Sequence, residues 1–181
     1  MEKFLLHTCC APCSIAVIDE LKNQFDLTVF FYNPNIFPKE EYIKRKNEVI
    51  KICNEWDIKM IDWDYEIEKW EKAIAGKENE PEGGARCPLC FALRINTAVQ
   101  YAKNNGYNIF STTLTSGRNK SAAIIFPIAE RAEQEFGIKF YAEDWKKNGR
   151  QERGKKMVDE REIYRQNYCG CKFSLKNNFT E

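Results

Sequence analysis

Phe4-Leu5-Leu6-His7-Thr8-Cys9-Cys10-Ala11-Pro12-Cys13, continued through Ser14–Gln24 to Leu27-Thr28-Val29-Phe30-Phe31-Tyr32, is the stretch that decides the fold. Phe4–Thr8 is a short apolar run that stops at two adjacent cysteines. Ser14–Gln24 places Ile15, Ile18 and Leu21 at the spacing of one helix face. Leu27–Tyr32 is nearly continuous in apolar residues, the pattern of a strand covered on both sides. The unit reads strand, helix, strand.

Working outward, the same alternation recurs. Asn33-Pro34-Asn35 breaks the second strand. Pro38 sits in the first turn of a helix that reaches about Trp56, with Tyr42, Val49, Ile50 and Cys53 on its apolar face. Ile58–Trp63 predicts a third strand. A long acidic helical region follows, interrupted by Pro81 and Gly83-Gly84. Cys87-Pro88-Leu89-Cys90 opens a helix to about Asn104, and Gly106 ends it. Asn108–Leu114 is a fourth strand, Ser121–Phe136 a helix stopped by Gly137, and Ile138–Ala142 a fifth strand. Lys155–Gln166 reads as helix, and Tyr168-Cys169-Gly170-Cys171 closes the ordered part. The expected architecture is a single α/β domain over 1–181, a three-layer, doubly wound, mostly parallel five-stranded sheet with a C-terminal cysteine-bearing tail.

The chain has 181 residues, 43% apolar and 30% charged, the balance of a globular protein. No apolar run approaches the length of a membrane span, and the N-terminus has no signal-peptide pattern, so a cytoplasmic location is expected. Net charge is +1, but it is unevenly spread. Asp62–Glu82 holds eight acids and three bases, whereas Lys146–Lys172 holds nine bases and four acids. The second stretch is a candidate face for phosphates, or simply a solvated helix surface.

Eight cysteines in a reducing compartment point to metal or redox chemistry. Seven are grouped: Cys9, Cys10 and Cys13; Cys87 and Cys90; Cys169 and Cys171. In a doubly wound sheet, ligands gather at the carboxyl ends of the strands. Cys9-Cys10, Asn33-Pro34-Asn35, Thr112-Thr113 and Asp144 all fall at such ends. Cys87/Cys90 fits a redox dithiol, half of a zinc site, or two cluster ligands. Cys9 and Cys10 with Cys87 and Cys90 supply four thiolates, enough for a cubane cluster or for zinc. Cys13 is a further ligand or a buried small residue. Cys169-Gly170-Cys171 can close only into a tight ring, and Gly170 has the backbone freedom for one. The pair reads as a redox dithiol or as ligands of a second metal. Cys53 reads as core. His7, the single histidine, either tunes the centre by hydrogen bonding or is a satisfied core residue; its place just before the cysteines favours the first.

At this point the sequence resembles the cobalamin-independent epoxyqueuosine reductases, the QueH family. The resemblance rests on Leu6-His7-Thr8-Cys9-Cys10-Ala11-Pro12-Cys13, on Tyr32-Asn33-Pro34-Asn35-Ile36 with Glu41-Tyr42, and on Arg86-Cys87-Pro88-Leu89-Cys90 with Arg94. It continues in Thr112-Thr113-Leu114 and Tyr164-Arg165-Gln166-Asn167-Tyr168-Cys169-Gly170-Cys171. It departs at Ser116-Gly117, where Ser-Pro is expected. The resemblance implies reduction of the epoxide of epoxyqueuosine to queuosine at the wobble position of tRNA, the last step of queuosine formation. It implies a 4Fe–4S cluster on Cys9, Cys10, Cys87 and Cys90, and a redox-active pair at Cys169 and Cys171. No cobalamin is expected, and the electron donor is unnamed. An additional mononuclear iron, held with Asp144, would polarise the epoxide oxygen, or Asp144 would deliver its proton.

For the tRNA, Arg86, Asn33, Asn35, Arg153 and Arg165 are candidate substrate residues. Arg150, Lys155, Lys156 and Arg161 are candidates for phosphate contact, and Tyr32, Tyr164 and Tyr168 for stacking on a base turned out of the loop. Two other classes share parts of the pattern. One is a zinc-stabilised tRNA-binding module. The other is a nucleotide-dependent tRNA thiolation enzyme of the adenine-nucleotide-hydrolase (HUP) fold. The second needs a glycine-rich phosphate loop after strand one, and Cys9-Cys10-Ala11-Pro12-Cys13 stands there instead.

Overall fold

The computed structural model describes residues 1–176. In chain order its elements are β1 (Lys3–His7), α1 (Ala11–Leu21), β2 (Asp26–Phe31), α2 (Lys39–Glu55), β3 (Lys59–Asp62), α3 (Ile67–Ala73), α4 (Arg86–Asn104), β4 (Ile109–Thr112), α5 (Ala122–Phe136), β5 (Lys139–Phe140), α6 (Arg150–Glu160) and α7 (Lys172–Lys176). The five strands form one sheet in the order β3-β2-β1-β4-β5. Every pairing is parallel, so the sheet is wholly rather than mostly parallel.

Side chains of alternate strand residues point to opposite faces. Phe4 and Leu6 of β1 join Leu27, Val29 and Phe31 of β2 and Ile109 of β4 on one face, under α1, α2 and α6. Leu5, Phe30 and Phe110 face the other way, under α4 and α5. Both faces are covered, which is why β1 and β2 read as unbroken apolar runs. Burying each large apolar side chain contributes about 1.5–3 kcal/mol, so the central strands anchor the domain.

The boundaries moved where local chemistry outweighed periodicity. α1 begins at Ala11, three residues before the expected start, because Pro12 is compatible with a first helical turn; Cys13 therefore lies inside the helix. β4 stops at Thr112, whose hydroxyl accepts the Leu114 amide at 3.2 Å and starts a 3₁₀ turn over Thr113–Ser116. The acidic region yields only the short α3. α6 begins at Arg150 rather than Lys155. It ends at Glu160 rather than Gln166, where Glu162 turns left-handed at φ 51° and the Ile163 amide bonds Val158 O at 3.1 Å. The cysteine-bearing tail does not end the ordered chain: α7 follows it, and Phe173 packs on Trp70 with ring centroids 6.1 Å apart.

β1 is central, and the chain leaves it toward β2 and β3 before crossing back to β4 and β5. The carboxyl ends of β1 and β4 therefore flank the switch point, where such sheets bind ligands.

Candidate metal centre

At that point the chain passes from β1 into α1 through Thr8-Cys9-Cys10. The Thr8 amide donates to Phe30 O at 2.9 Å, and Asn33 Nδ2 donates to Thr8 O at 2.9 Å. The Cys9 amide donates to Thr113 Oγ1 at 3.3 Å, tying the turn to β4. Cys10 is the N-cap of α1 and makes no side-chain cap bond; Ser14 Oγ donates back to Cys10 O at 2.8 Å. The result is three thiols at a helix N-terminus. The sulfurs of Cys9, Cys10 and Cys13 lie within 4.8 Å of one another, Cys9 and Cys10 at 3.7 Å.

This trio is mostly enclosed: Cys9 is 5% and Cys10 2% exposed. Hydrogen bonds from the Cys10 and Cys13 thiols hold Cys9 well below the usual thiol range, against burial and with help from Lys120 and Arg94. Cys13 also pulls Cys10 down, but the Cys9 thiolate and burial win and push Cys10 up to about 11. Cys13 is raised by the same two neighbours. Cys9 is thus the first thiolate of the group. Burial alone would lower the Lys120 ammonium, yet the attraction of the neighbouring sulfurs, Cys9 first, outweighs it and raises it. At Gly117, a β-carbon would stand 2.9 Å from Lys120 Cδ, so glycine in place of the expected proline leaves room for this lysine.

Cys87 and Cys90 stand on α4, as expected. Burial raises the Cys87 thiol, against the Gly83 amide that donates to its sulfur at 3.2 Å. Burial also raises Cys90, opposed by the Arg94 cation and the Trp70 indole. They lie outside the 4.8 Å trio, so the structure joins Cys13, rather than this pair, most closely to Cys9 and Cys10. Cys87 packs against the same apolar cluster as Cys9 and Cys10, while Cys90 shares a small cluster with Cys171, Trp70 and Ile74. All eight cysteines are free thiols. Cys53 is core, its thiol pushed up to about 12 by burial.

Cys9, Cys10, Cys13 and Cys169 line one cavity of about 790 Å³, with Asn35, Arg45, Arg94, Arg118, Lys120, Arg150, Lys155, Arg165 and Gln166. Arg94 is 1% exposed and donates to Asn33 Oδ1 at 2.5 Å; Gln166 Nε2 donates to Cys10 Sγ at 3.0 Å. Of the candidate substrate residues, Asn35 and Arg165 line this cavity, and Asn33 accepts a hydrogen bond from Arg94, which also lines it.

Others are employed elsewhere. Arg86 is 2% exposed and donates to the carbonyls of Lys77, Glu78 and Glu80, so it staples the loop before α4. Arg153 donates to Ala16 O and pairs with Glu20 at 3.6 Å, and Arg161 pairs with Glu55 at 2.8 Å. Asp144 Oδ1 accepts the Lys146 amide at 3.3 Å within its own turn, and the residue is not among those lining the cavity. Tyr32 is fully buried, and Tyr164 donates to Glu41 at 3.0 Å. Only Tyr168 of the three tyrosines borders the cavity.

His7 makes its hydrogen bonds to residues other than the cysteines. Its Nδ1 lies 2.8 Å from Thr112 Oγ1 and its Nε2 3.1 Å from Tyr32 O. Burial and the Arg94 charge lower its pKa to about 3, so the ring is neutral. A carbonyl only accepts, so Nε2 carries the proton and Nδ1 accepts from the Thr112 hydroxyl.

The donor set fits an iron–sulfur group. It is all sulfur, enclosed, free of carboxylates at the trio, and faced by cations that offset thiolate charge. Arg94 had a readable signal: it stands four residues after Cys90 on the same face of α4. Gln166 stands three residues before Cys169, inside the C-terminal motif, whereas Lys120 and Arg45 belong to no cysteine group in the sequence and carried no signal.

The family described as Epoxyqueuosine reductase QueH matches residues 4–177. The epoxyqueuosine reductase QueH of Acinetobacter baylyi is 41% identical over 178 residues, covering 97% of this chain and 82% of its own. That of Thermotoga maritima is 37% identical, covering 97% and 91%. Among solved structures, the U34-tRNA thiolase NcsA of Methanococcus maripaludis, described with its [4Fe-4S] cluster, superposes with a TM-score of 0.58 at 11% identity. It covers 96% of this chain and 61% of its own. That likeness concerns the fold alone. The family match and the near full-length relatives are decisive: this chain belongs to the epoxyqueuosine reductase QueH family.

Proposed function

We propose that this chain reduces epoxyqueuosine to queuosine in tRNA, with an iron–sulfur group at the β1–α1 cysteines and a redox dithiol at Cys169 and Cys171. The observation that carries the reading is the enclosed trio of Cys9, Cys10 and Cys13 at the switch point, opening on the same cavity as Cys169. Cys9 and Cys10, with Cys13 beside them and Cys87 and Cys90 on α4, would hold the group. A 4Fe–4S cluster, when bound there, supplies electrons singly.

The reaction removes one oxygen. An epoxide takes two electrons and two protons, both ring C–O bonds break, and an alkene and water leave. Cys169 and Cys171 as thiols carry that inventory, ending as a disulfide that an external reductant must reopen. Lys120, which lines the cavity with Cys9 and Cys169, offers a cation to the oxygen as its bonds break. Arg118, Lys155 and Arg165 at the cavity suit the phosphates flanking the modified nucleotide. A tRNA substrate and reduced thiols fit the cytoplasm.

Anaerobic purification with iron, sulfide and zinc analysis tests the centre. Iron and sulfide near cubane stoichiometry, with a broad absorption that dithionite bleaches, supports it. Zinc without sulfide contradicts it.

A further inference from the structure

The segment from Arg161 to Cys171 contains no helix or strand, yet it delivers two cysteines to different surroundings. Cys169 lines the cavity and is partly exposed, whereas Cys171 is 6% exposed among Trp70, Ile74 and Cys90. Something other than secondary structure must hold that difference.

Arg45 of α2 meets the segment. Its side chain is 3% exposed, and its Nε bonds Glu41 Oε1 at 2.6 Å, which fixes the plane of the guanidinium. Nη1 donates to Cys169 O at 3.0 Å and Nη2 to Tyr168 O at 3.2 Å. The Tyr168 ring lies 5.0 Å from the guanidinium carbon, and its hydroxyl donates to Phe37 O at 2.6 Å. The Phe37 amide donates to Gly170 O at 2.8 Å, and Tyr164 donates to Glu41. Gly170 has φ +119°, and a β-carbon there would stand 3.0 Å from Arg45 Nη1 and 3.1 Å from Ile36 Cγ1. The guanidinium therefore lies directly against the glycine between the two cysteines, where a side chain would strain the backbone and crowd the cation.

A buried guanidinium is costly unless its donors are matched. Here a carboxylate and two adjacent carbonyls match them, and all three hold one turn. A lysine carries the charge but lacks the planar fork that spans both carbonyls.

We propose that Arg45 is the positioning residue of the C-terminal cysteine turn: clamped by Glu41, it keeps Cys169 at the cavity and Cys171 in the interior. Cys169 is then the thiol open to substrate and external reductant, and Cys171 its enclosed partner. This assignment of roles rests on the proposed reductase reading; the clamp itself does not.

The test is differential alkylation by iodoacetamide, read by mass spectrometry on protein purified anaerobically, as isolated and after iron is removed by a chelator. In the wild type Cys169 should react about tenfold faster than Cys171 or more. In Arg45→Gln, Arg45→Lys and Gly170→Ala that ratio should collapse toward unity, and kcat should fall while KM for the tRNA stays within about twofold. Gly170→Ala leaves Arg45 in place, so it tests the clamp even if an Arg45 variant does not fold. A wild-type ratio near unity, or one preserved in the folded variants, overturns the proposal whether or not the protein reduces tRNA. A collapsed ratio beside an inactive wild type supports the clamp and overturns only the reductase reading.

Discussion

At the scale of single residues, Arg94 and Lys120 are the cations that face the cysteines. A cation beside a cluster favours its more negative, reduced form. Lys120→Met should therefore lower the reduction potential of the bound centre, read by anaerobic redox titration; an unchanged potential would show that the lysine does not act on it. His7 is a pin rather than a tuner. It ties β1 to Thr112 of β4 and to the Tyr32 carbonyl after β2. His7→Leu strands two buried partners, so it should cost about 1–3 kcal/mol for each in denaturant unfolding. The sequence showed a histidine two positions before a cysteine pair, and adjacency suggested chemistry. What decides its role is a hydroxyl 105 residues away, which only the strand pairing brings near. Arg86 misled for the same reason, since the carbonyls that occupy it belong to a loop without a pattern of its own.

At the scale of elements, α6 is fixed to the rest of the α/β frame by charge as well as packing. Arg150 bonds Glu20 of α1 and Glu143 after β5, each at 2.8 Å. The Arg150 guanidinium, bonded to the Glu20 carboxylate, holds it below its ordinary pKa of 4.5. A depressed carboxylate stabilises the fold above its unfolded pKa and loses that contribution as pH falls through the folded value. Stability should thus drop in acid, below about pH 4.5. Glu20→Gln should remove roughly 1 kcal/mol at neutral pH and flatten that acid limb in unfolding curves. α6 packs on α1 at Gly154, where a β-carbon would make ordinary contact with Ala16 Cβ at 3.5 Å. The five strands and the helices α1, α2, α4 and α5 were legible because their apolar spacing follows directly from two covered sheet faces. The limits of α6 were not, because a highly charged helix shows little periodicity and its ends are set by two left-handed residues, Gly149 and Glu162.

At the scale of the molecule, some cations of the basic stretch are committed to internal pairs and others line the cavity, and Arg150 does both. Arg153 and Arg161 pair within the fold, whereas Lys155 and Arg165 border the cysteine cavity. Lys155→Ala and Arg165→Ala should each weaken tRNA binding and reduce the salt slope by about one, while Arg161→Ala leaves that slope unchanged; equal effects from all three would point to a diffuse surface. Charge counts alone could not separate these groups, because the separation depends on which carboxylates the fold brings opposite. The cysteine motifs, by contrast, carried the centre of the site, since the ends of β1 and β4 meet wherever this sheet order forms. The account is tested most directly by incubating the anaerobically purified, iron- and sulfide-loaded protein with epoxyqueuosine-containing tRNA and a reductant, then identifying the tRNA nucleosides by mass spectrometry. Queuosine, one oxygen lighter, should appear with the wild type and not with Cys9→Ser or Cys169→Ser; epoxyqueuosine left intact by the loaded wild type, or full conversion by both serine variants, would contradict it.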